Sequence, residues 1–380
     1  MQPTASSAFA DTKPHYELLD GLRGVAALLV IWYHIFEGFA TSPVDQMFNH
    51  GYLAVDFFFI LSGFVIGYAY DDRWKGRMTV GGFFRRRLIR LHPMLVMGVV
   101  LGAATYAIQG CVQWDGTRVA GWAVALALLL NLLLVPALPG SAAEVRGNGE
   151  MFPLNGPSWS LFFEYVGNIL YATLLRRLST RALTLLVAVS GLGLAAYAAG
   201  NLSGYGHMGV GWSLLDHNLP GGLLRLSFSF SAGLLLSRRF RPVAMRGAFW
   251  ICSAAVALLL CIPHIGGGDT PWMNGLYDAA CILFAFPLLV RVAASGKTTD
   301  RTSSRICKTL GDISYPLYIV HYPFMYLFYA WLWREGLTFA QTWPVAIGLF
   351  FGNIALAYLC LKCYDEPVRE WLGRRLRTGK

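Results

Sequence analysis

The sequence predicts an all-α, polytopic integral membrane protein of about ten transmembrane helices, and three observations carry that prediction. Of 380 residues, 56% are hydrophobic and only 14% are charged, against roughly half and a quarter in a soluble domain. Apolar segments of ~17–25 residues, each long enough to cross a hydrocarbon core as a helix, recur from end to end. Lys and Arg gather in alternate connections, which is how a polytopic chain fixes its orientation.

Eleven apolar segments are candidates, centred on residues 22–40, 52–70, 92–109, 119–138, 159–175, 182–200, 221–237, 247–263, 275–294, 313–333 and 343–361. The connection after the second, "DDRWKGRMTVGGFFRRRLIR", holds seven basic residues and two acidic ones, so it belongs on the cytoplasmic side. If all eleven crossed, Arg176, Arg177 and Arg181 would fall outside and every later loop would be inverted. If 119–138 is instead re-entrant or interfacial, every basic loop lies inside. Only Arg118, Arg146 and Arg334 are then outside, with Arg225 inside a helix. Asn131, Pro136 and Pro139 suit such an irregular element. The expectation is ten spans with both termini cytoplasmic: a short segment 1–17, a membrane domain 18–366 and a basic tail 367–380. Ala26 to Phe36 followed by "GFATS" mimics a signal peptide, but Asp11, Glu17, Asp20 and His34 argue for a retained first helix.

The net charge of +10 needs no nucleic acid. Topology accounts for most of it, and a basic cytoplasmic rim would attract anionic lipid headgroups or an anionic cosubstrate. The seven cysteines are odd in number and scattered, without a repeated ligand spacing. They read as small hydrophobes, so neither disulfides nor a metal are expected.

The polar residues inside apolar runs are the informative ones, because a charge in hydrocarbon is costly. In "LDGLRGVAALLVIWYHIF", Arg23 and His34 lie eleven residues apart, on one face and ~16 Å along the axis. Arg23 by itself is equally a snorkelling residue, and His34 a buried histidine bonded to a neighbour. "GYLAVDFFFILSGF" places Asp56 at a helix start, where it needs a cation or several donors. Arg86, Arg87 and Arg90 in "FFRRRLIRLHPML" serve as a topology signal or as a phosphate fork. "WSLFFE" brings Trp159, Ser160 and Glu164 in from the outer side. Arg225 wants an acidic partner, with Glu164 or Asp216 as candidates. Tyr318 and His321, three apart in "ISYPLYIVHYP", share a face. Together these groups define a functional interior, but a proton relay and a catalytic base look alike at this level.

Taken in order, "LDGLRGVAALLVIWYH", "GYLAVDFFFILSGF", "RRLIRLHP", "WSLFFE", "ISYPLYIVHYP" and "EPVR" resemble the acyltransferase-3 family of bacterial membrane O-acyltransferases, from Leu19 to Arg369. The resemblance implies a protein of the bacterial inner membrane. It would move an acyl group, most often acetyl, from cytoplasmic acyl-coenzyme A to a hydroxyl of a sugar, polysaccharide or lipid-linked glycan. His34 would be the general base, with Glu164 or Asp56 orienting its other nitrogen. Arg23, Arg86, Arg87 and Arg90 would hold the coenzyme phosphates, and Trp159, Ser160, Arg225, Tyr318 and His321 would form the acceptor site. The competing class is a proton-coupled transporter or flippase using the same ionisable residues. That class predicts related halves, and the Arg/His pattern of the first helix has no counterpart in the sixth span.

Overall fold

A computed structural model describes residues 15–378 except 77, 243, 244 and 299. Among these the protein is all-helical: α1 (Glu17–Glu37), α2 (Ala54–Tyr70), α3 (Val80–Ile108), α4 (Gly121–Leu132), α5 (Ser158–Thr173), α6 (Thr180–Ala199), α7 (Leu219–Arg239), α8 (Ala248–Cys261), α9 (Pro271–Ala280), α10 (Phe286–Ser295), α11 (Arg301–Val320), α12 (Tyr322–Glu335), α13 (Phe339–Cys360) and α14 (Glu366–Thr378). Helices α9 and α10, and likewise α13 and α14, run on through single π-helical turns, Cys281–Ala285 and Leu361–Asp365. Each turn is followed two residues later by a proline, Pro287 and Pro367. A proline withholds one backbone donor, and a widened turn absorbs the loss without breaking the rod.

Among the described residues, seven helical stretches are long and apolar enough to cross a membrane: Glu17–Glu37, Asn49–Lys75, Val80–Ile108, Thr180–Ala199, Leu219–Arg239, Pro271–Ser295 and Phe339–Arg375. Helix α4 has 12 residues, about 18 Å of rise, well short of a ~30 Å core. The expected continuous span 313–333 is in fact two helices. α11 starts earlier, at Arg301, and the rod bends at His321 ahead of Pro323, which has no N–H to give back to the preceding turn.

The connections sort to two ends. At one, Arg238 Nε donates to Asp71 at 2.7 Å and its Nη1 to the Leu178 carbonyl at 2.8 Å, tying three basic loops together. Tyr16, just before α1, packs its ring on Phe64, Tyr68 and Phe240 at this same end. At the other end, Glu150 bridges to Ser213, Asn49 N donates to Ile262 O, and Trp333 Nε1 donates to Gly38 O at 3.0 Å. The chain between α4 and α5 forms a helix-free cover over this second end. It is anchored by Arg146, whose Nε donates to Pro153 O at 2.5 Å and whose guanidinium lies 3.4 Å from the centre of the Tyr326 ring.

Small residues set the closest helix approach, as they do in membrane interiors. Gly63 of α2 lies against the Phe230 carbonyl of α7, and Gly233 of α7 against the Ile60 carbonyl of α2. A side chain at either position would strike backbone, so the two helices are locked in register. That register carries Asp56 to Arg225. The pair is wholly buried, with Arg225 Nη2 2.7 Å from Asp56 Oδ2 and Nε 3.0 Å from the same oxygen.

Candidate active site

Helix α1 delivers one functional group to each of two cavities. Near its start, a Cβ on Gly311 would stand 2.6 Å from the Asp20 Cβ, so α1 and α11 are in direct contact there. Arg23 consequently reaches α11, donating from Nε to Ser314 Oγ at 2.8 Å and from Nη2 to Gly311 O at 3.1 Å. Asp20 Oδ1 lies 3.1 Å from the same Nη2.

Arg23, Arg87 and Arg90 line a cavity of about 120 Å³ whose walls are otherwise mainly apolar. Arg87 Nη2 stands 2.5 Å from Glu164 Oε1, and Ser62 Oγ donates to the same oxygen at 3.2 Å. The Nε of Arg87 is buried without a partner. Arg86, in the same run, does not line it, because successive helical residues point about 100° apart.

His34 lines a second cavity of about 430 Å³. Its Nδ1 is 2.7 Å from Glu37 Oε2, one turn further along α1. The Tyr329 hydroxyl closes this arrangement, donating to the His34 carbonyl at 2.6 Å and to Glu37 Oε2 at 3.0 Å. A carboxylate on Nδ1 selects the tautomer protonated there and leaves the Nε2 lone pair available, which is the form a general base needs. The rest of the wall is strongly aromatic, including Tyr52, Trp114, Trp159, Tyr322, Tyr326 and Trp333. Glu150 accepts from the Tyr326 hydroxyl and from Asn148 Nδ2. Burial raises the Glu150 pKa above the ordinary carboxylate value, against the lowering effects of Arg146 and of the Tyr326 bond. His207, also on the wall, accepts on Nδ1 from Gly209 N at 2.9 Å. Burial pushes its pKa down from 6.5 to about 4, so it is neutral at physiological pH.

Two residues, Val55 and Tyr318, belong to both cavities. The Tyr318 hydroxyl is held 2.7 Å from Ser160 Oγ, which donates to Pro157 O at 3.0 Å. These two side chains therefore face both the arginine-lined space and the histidine-lined one.

The structure redistributes several expected roles. Neither Asp56 nor Glu164 orients His34. Asp56 is occupied by Arg225 and Glu164 by Arg87, leaving Glu37 as the carboxylate on the imidazole. The partner of Arg225 is Asp56, not Glu164 or Asp216. Arg225 is also fully buried, with Nη1 on Val210 O at 2.6 Å and Nη2 on Tyr52 O at 2.8 Å. Its guanidinium lies 5.3 Å from the Trp159 ring centre and so supports that wall from behind. His321 likewise lines neither cavity. It stacks on the His34 ring at 5.5 Å, with Nδ1 3.1 Å from Leu317 O. Trp159 and Tyr318 do face the larger cavity, while Ser160 faces the smaller one.

The Acyltransferase domain family model matches residues 16–362. The chain belongs to the acyltransferase-3 family. It is therefore an integral membrane acyltransferase, a class that requires an acyl donor and an acceptor. Acyltransferase MdmB of Streptomyces mycarofaciens is 28% identical, over 94% of this chain and 92% of its own length. "Protein 2 in picA locus" of Rhizobium radiobacter is 37% identical, over 48% of this chain and 94% of its own. A Staphylococcus aureus (strain COL) protein named provisionally as an O-acetyltransferase is 38% identical over 24% of this chain and 14% of its own. No solved structure matches the chain.

Proposed function

We propose that this acyltransferase moves an acetyl group from acyl-coenzyme A, presented at the cytoplasmic face, to a hydroxyl of a carbohydrate or glycoconjugate admitted from the other side. The observation that carries this reading is the shared wall: Val55 and Tyr318 line both the arginine-lined and the His34-lined cavity. Arg23, Arg87 and Arg90 would meet the donor's phosphates at the mouth of the smaller cavity, where guanidinium forks suit them. The pantetheine arm would thread inward and bring its thioester past Tyr318.

His34 Nε2 then takes the proton of the acceptor hydroxyl as its oxygen attacks the thioester carbonyl. Glu37 stabilises the resulting imidazolium from the Nδ1 side. Collapse of the tetrahedral species breaks the carbon–sulfur bond, and the thiolate leaves as coenzyme A after taking a proton from the imidazolium. The product is an ester, and the base is regenerated. Ten crossings with both termini cytoplasmic fit this arrangement, since they put the basic loops on the donor side. A reporter fused near Asn148 would then mark the outer face.

The test supplies radiolabelled acetyl-coenzyme A and surface-glycan extracts to membranes carrying the native protein or His34→Ala at matched expression. Alkali-labile label with the native protein alone supports the reading. Equal label with both removes His34 from the chemistry. A carrier would instead move solute without consuming donor.

A further inference from the structure

The larger cavity has a charge character that the rest of the chain does not. The protein carries 31 Lys and Arg against 21 Asp and Glu, yet among the described residues no Lys or Arg lines this space, while Glu37 and Glu150 both do. Glu37 is engaged by His34. Glu150 has only neutral donors, the Tyr326 hydroxyl and Asn148, and among the described residues it forms no ion pair. Arg146, the nearest basic residue in this cover, does not line the cavity. Its Nε goes to Pro153 O, its Nη1 to Gln109 Oε1 at 3.0 Å and its face to the rings of Tyr326, Tyr106 and Trp114, while its Nη2 is buried without a hydrogen-bond partner. Arg146 acts on Glu150 only from outside the cavity wall and makes no ion pair with it, and a carboxylate facing a desolvated space with no cation in that wall is an incomplete arrangement, because burying it unpaired is costly. The rings around it point the same way: aromatic faces attract cations, the more so out of water.

We infer that the acceptor carries a protonated amine as well as the reacting hydroxyl, and that Glu150, walled by Tyr326 and Trp114, is the subsite that receives the amine. This rests on reading the larger cavity as the acceptor site. An anionic acceptor, such as a uronate or a phosphorylated sugar presenting its phosphate here, would meet carboxylates of its own sign and no basic side chain. The neutral His207 offers it no compensation.

The experiment uses the full-length protein in lipid nanodiscs, without acyl donor, and three glycosides sharing one aglycone: a glucosaminide, a glucoside and a glucuronide. Binding is read by calorimetry and by quenching of tryptophan fluorescence, for which Trp114, Trp159, Trp212 and Trp333 line the cavity. The glucosaminide should bind about ten-fold or more tighter than the glucoside, the scale of one charge-assisted bond, and the glucuronide weakest. Glu150→Gln should erase the preference for the amine while leaving glucoside affinity in place, and Glu150→Asp should retain part of it. Equal binding of all three probes, preference for the glucuronide, or no binding by any of them overturns the inference. Coenzyme A release is assayed separately with donor present, so failure of the amine subsite and failure of the acyltransfer reading give different results.

Discussion

His34 Nδ1 lies 2.7 Å from Glu37 Oε2, and both belong to α1. The imidazole and the carboxylate on its Nδ1 are therefore fixed by one turn of one helix and do not depend on how distant elements dock. Glu37→Gln should lower kcat by about 10- to 100-fold while leaving the donor KM near its native value. His34→Ala should cost more, within the ~10²–10⁴ range of a general base. Initial rates of coenzyme A release at saturating acceptor measure both.

Tyr318 should act as a partition. Tyr318→Ala would join the two cavities and let water from the larger one reach the thioester, so coenzyme A release without acceptor should rise above the native level. Tyr318→Phe keeps the ring and loses only the bond to Ser160, so its acceptor-independent release should stay near native. A thiol-trapping assay separates the two outcomes, and equal release by both variants would argue against a partition.

Donor recognition should follow the lining and not the run of arginines as such. Arg87→Gln and Arg90→Gln should each raise the KM for acyl-coenzyme A by about ten-fold or more, as loss of a charge-assisted phosphate bond implies. Arg86→Gln, absent from the cavity wall, should change it little. Steady-state kinetics with varied donor checks this, and equal effects at all three positions would favour a diffuse surface attraction.

The loop residue His207 supplies a pH prediction. Its folded pKa, about 4, lies below its ordinary 6.5 because of burial, so the unfolded chain binds the proton more tightly. Stability from this residue is intact above about pH 6.5 and declines as the pH falls toward about 4. Thermal unfolding of the detergent-solubilised protein should show this slope, and His207→Gln should reduce it.

Much of the site was legible because its groups violate the solvent they sit in. Arg23, His34, Asp56, Glu164 and Arg225 each stand out in an apolar run, and the family motifs gather the first four. Their pairing was not legible. Hydropathy carries no information on which helices touch, and the contact that sends Arg225 to Asp56 depends on two glycines, Gly63 and Gly233. Glu37 was missed although the signal was local: "HIFE" places an acid three residues after His34, on the same helical face. Glu150, Arg146 and His207 lie in helix-free connections, where no periodicity announces a buried side chain. The bend at His321 was foreshadowed by Pro323, but a proline near a helix start is as often tolerated as disruptive.

Arg23 and His34 sit on a single unbroken helix, and under the proposed mechanism α1 would be a rule of fixed length between the donor's phosphates and its thioester. A helix neither stretches nor twists cheaply, so one residue inserted between them would displace His34 by ~1.5 Å and turn it by about 100°. Substitutions along the apolar face of this segment would leave that distance unchanged, whereas an insertion or deletion would change it. Under that mechanism the spacing between these two residues would be a physical property of the substrate written into the chain, a measure of the reach of the carrier arm.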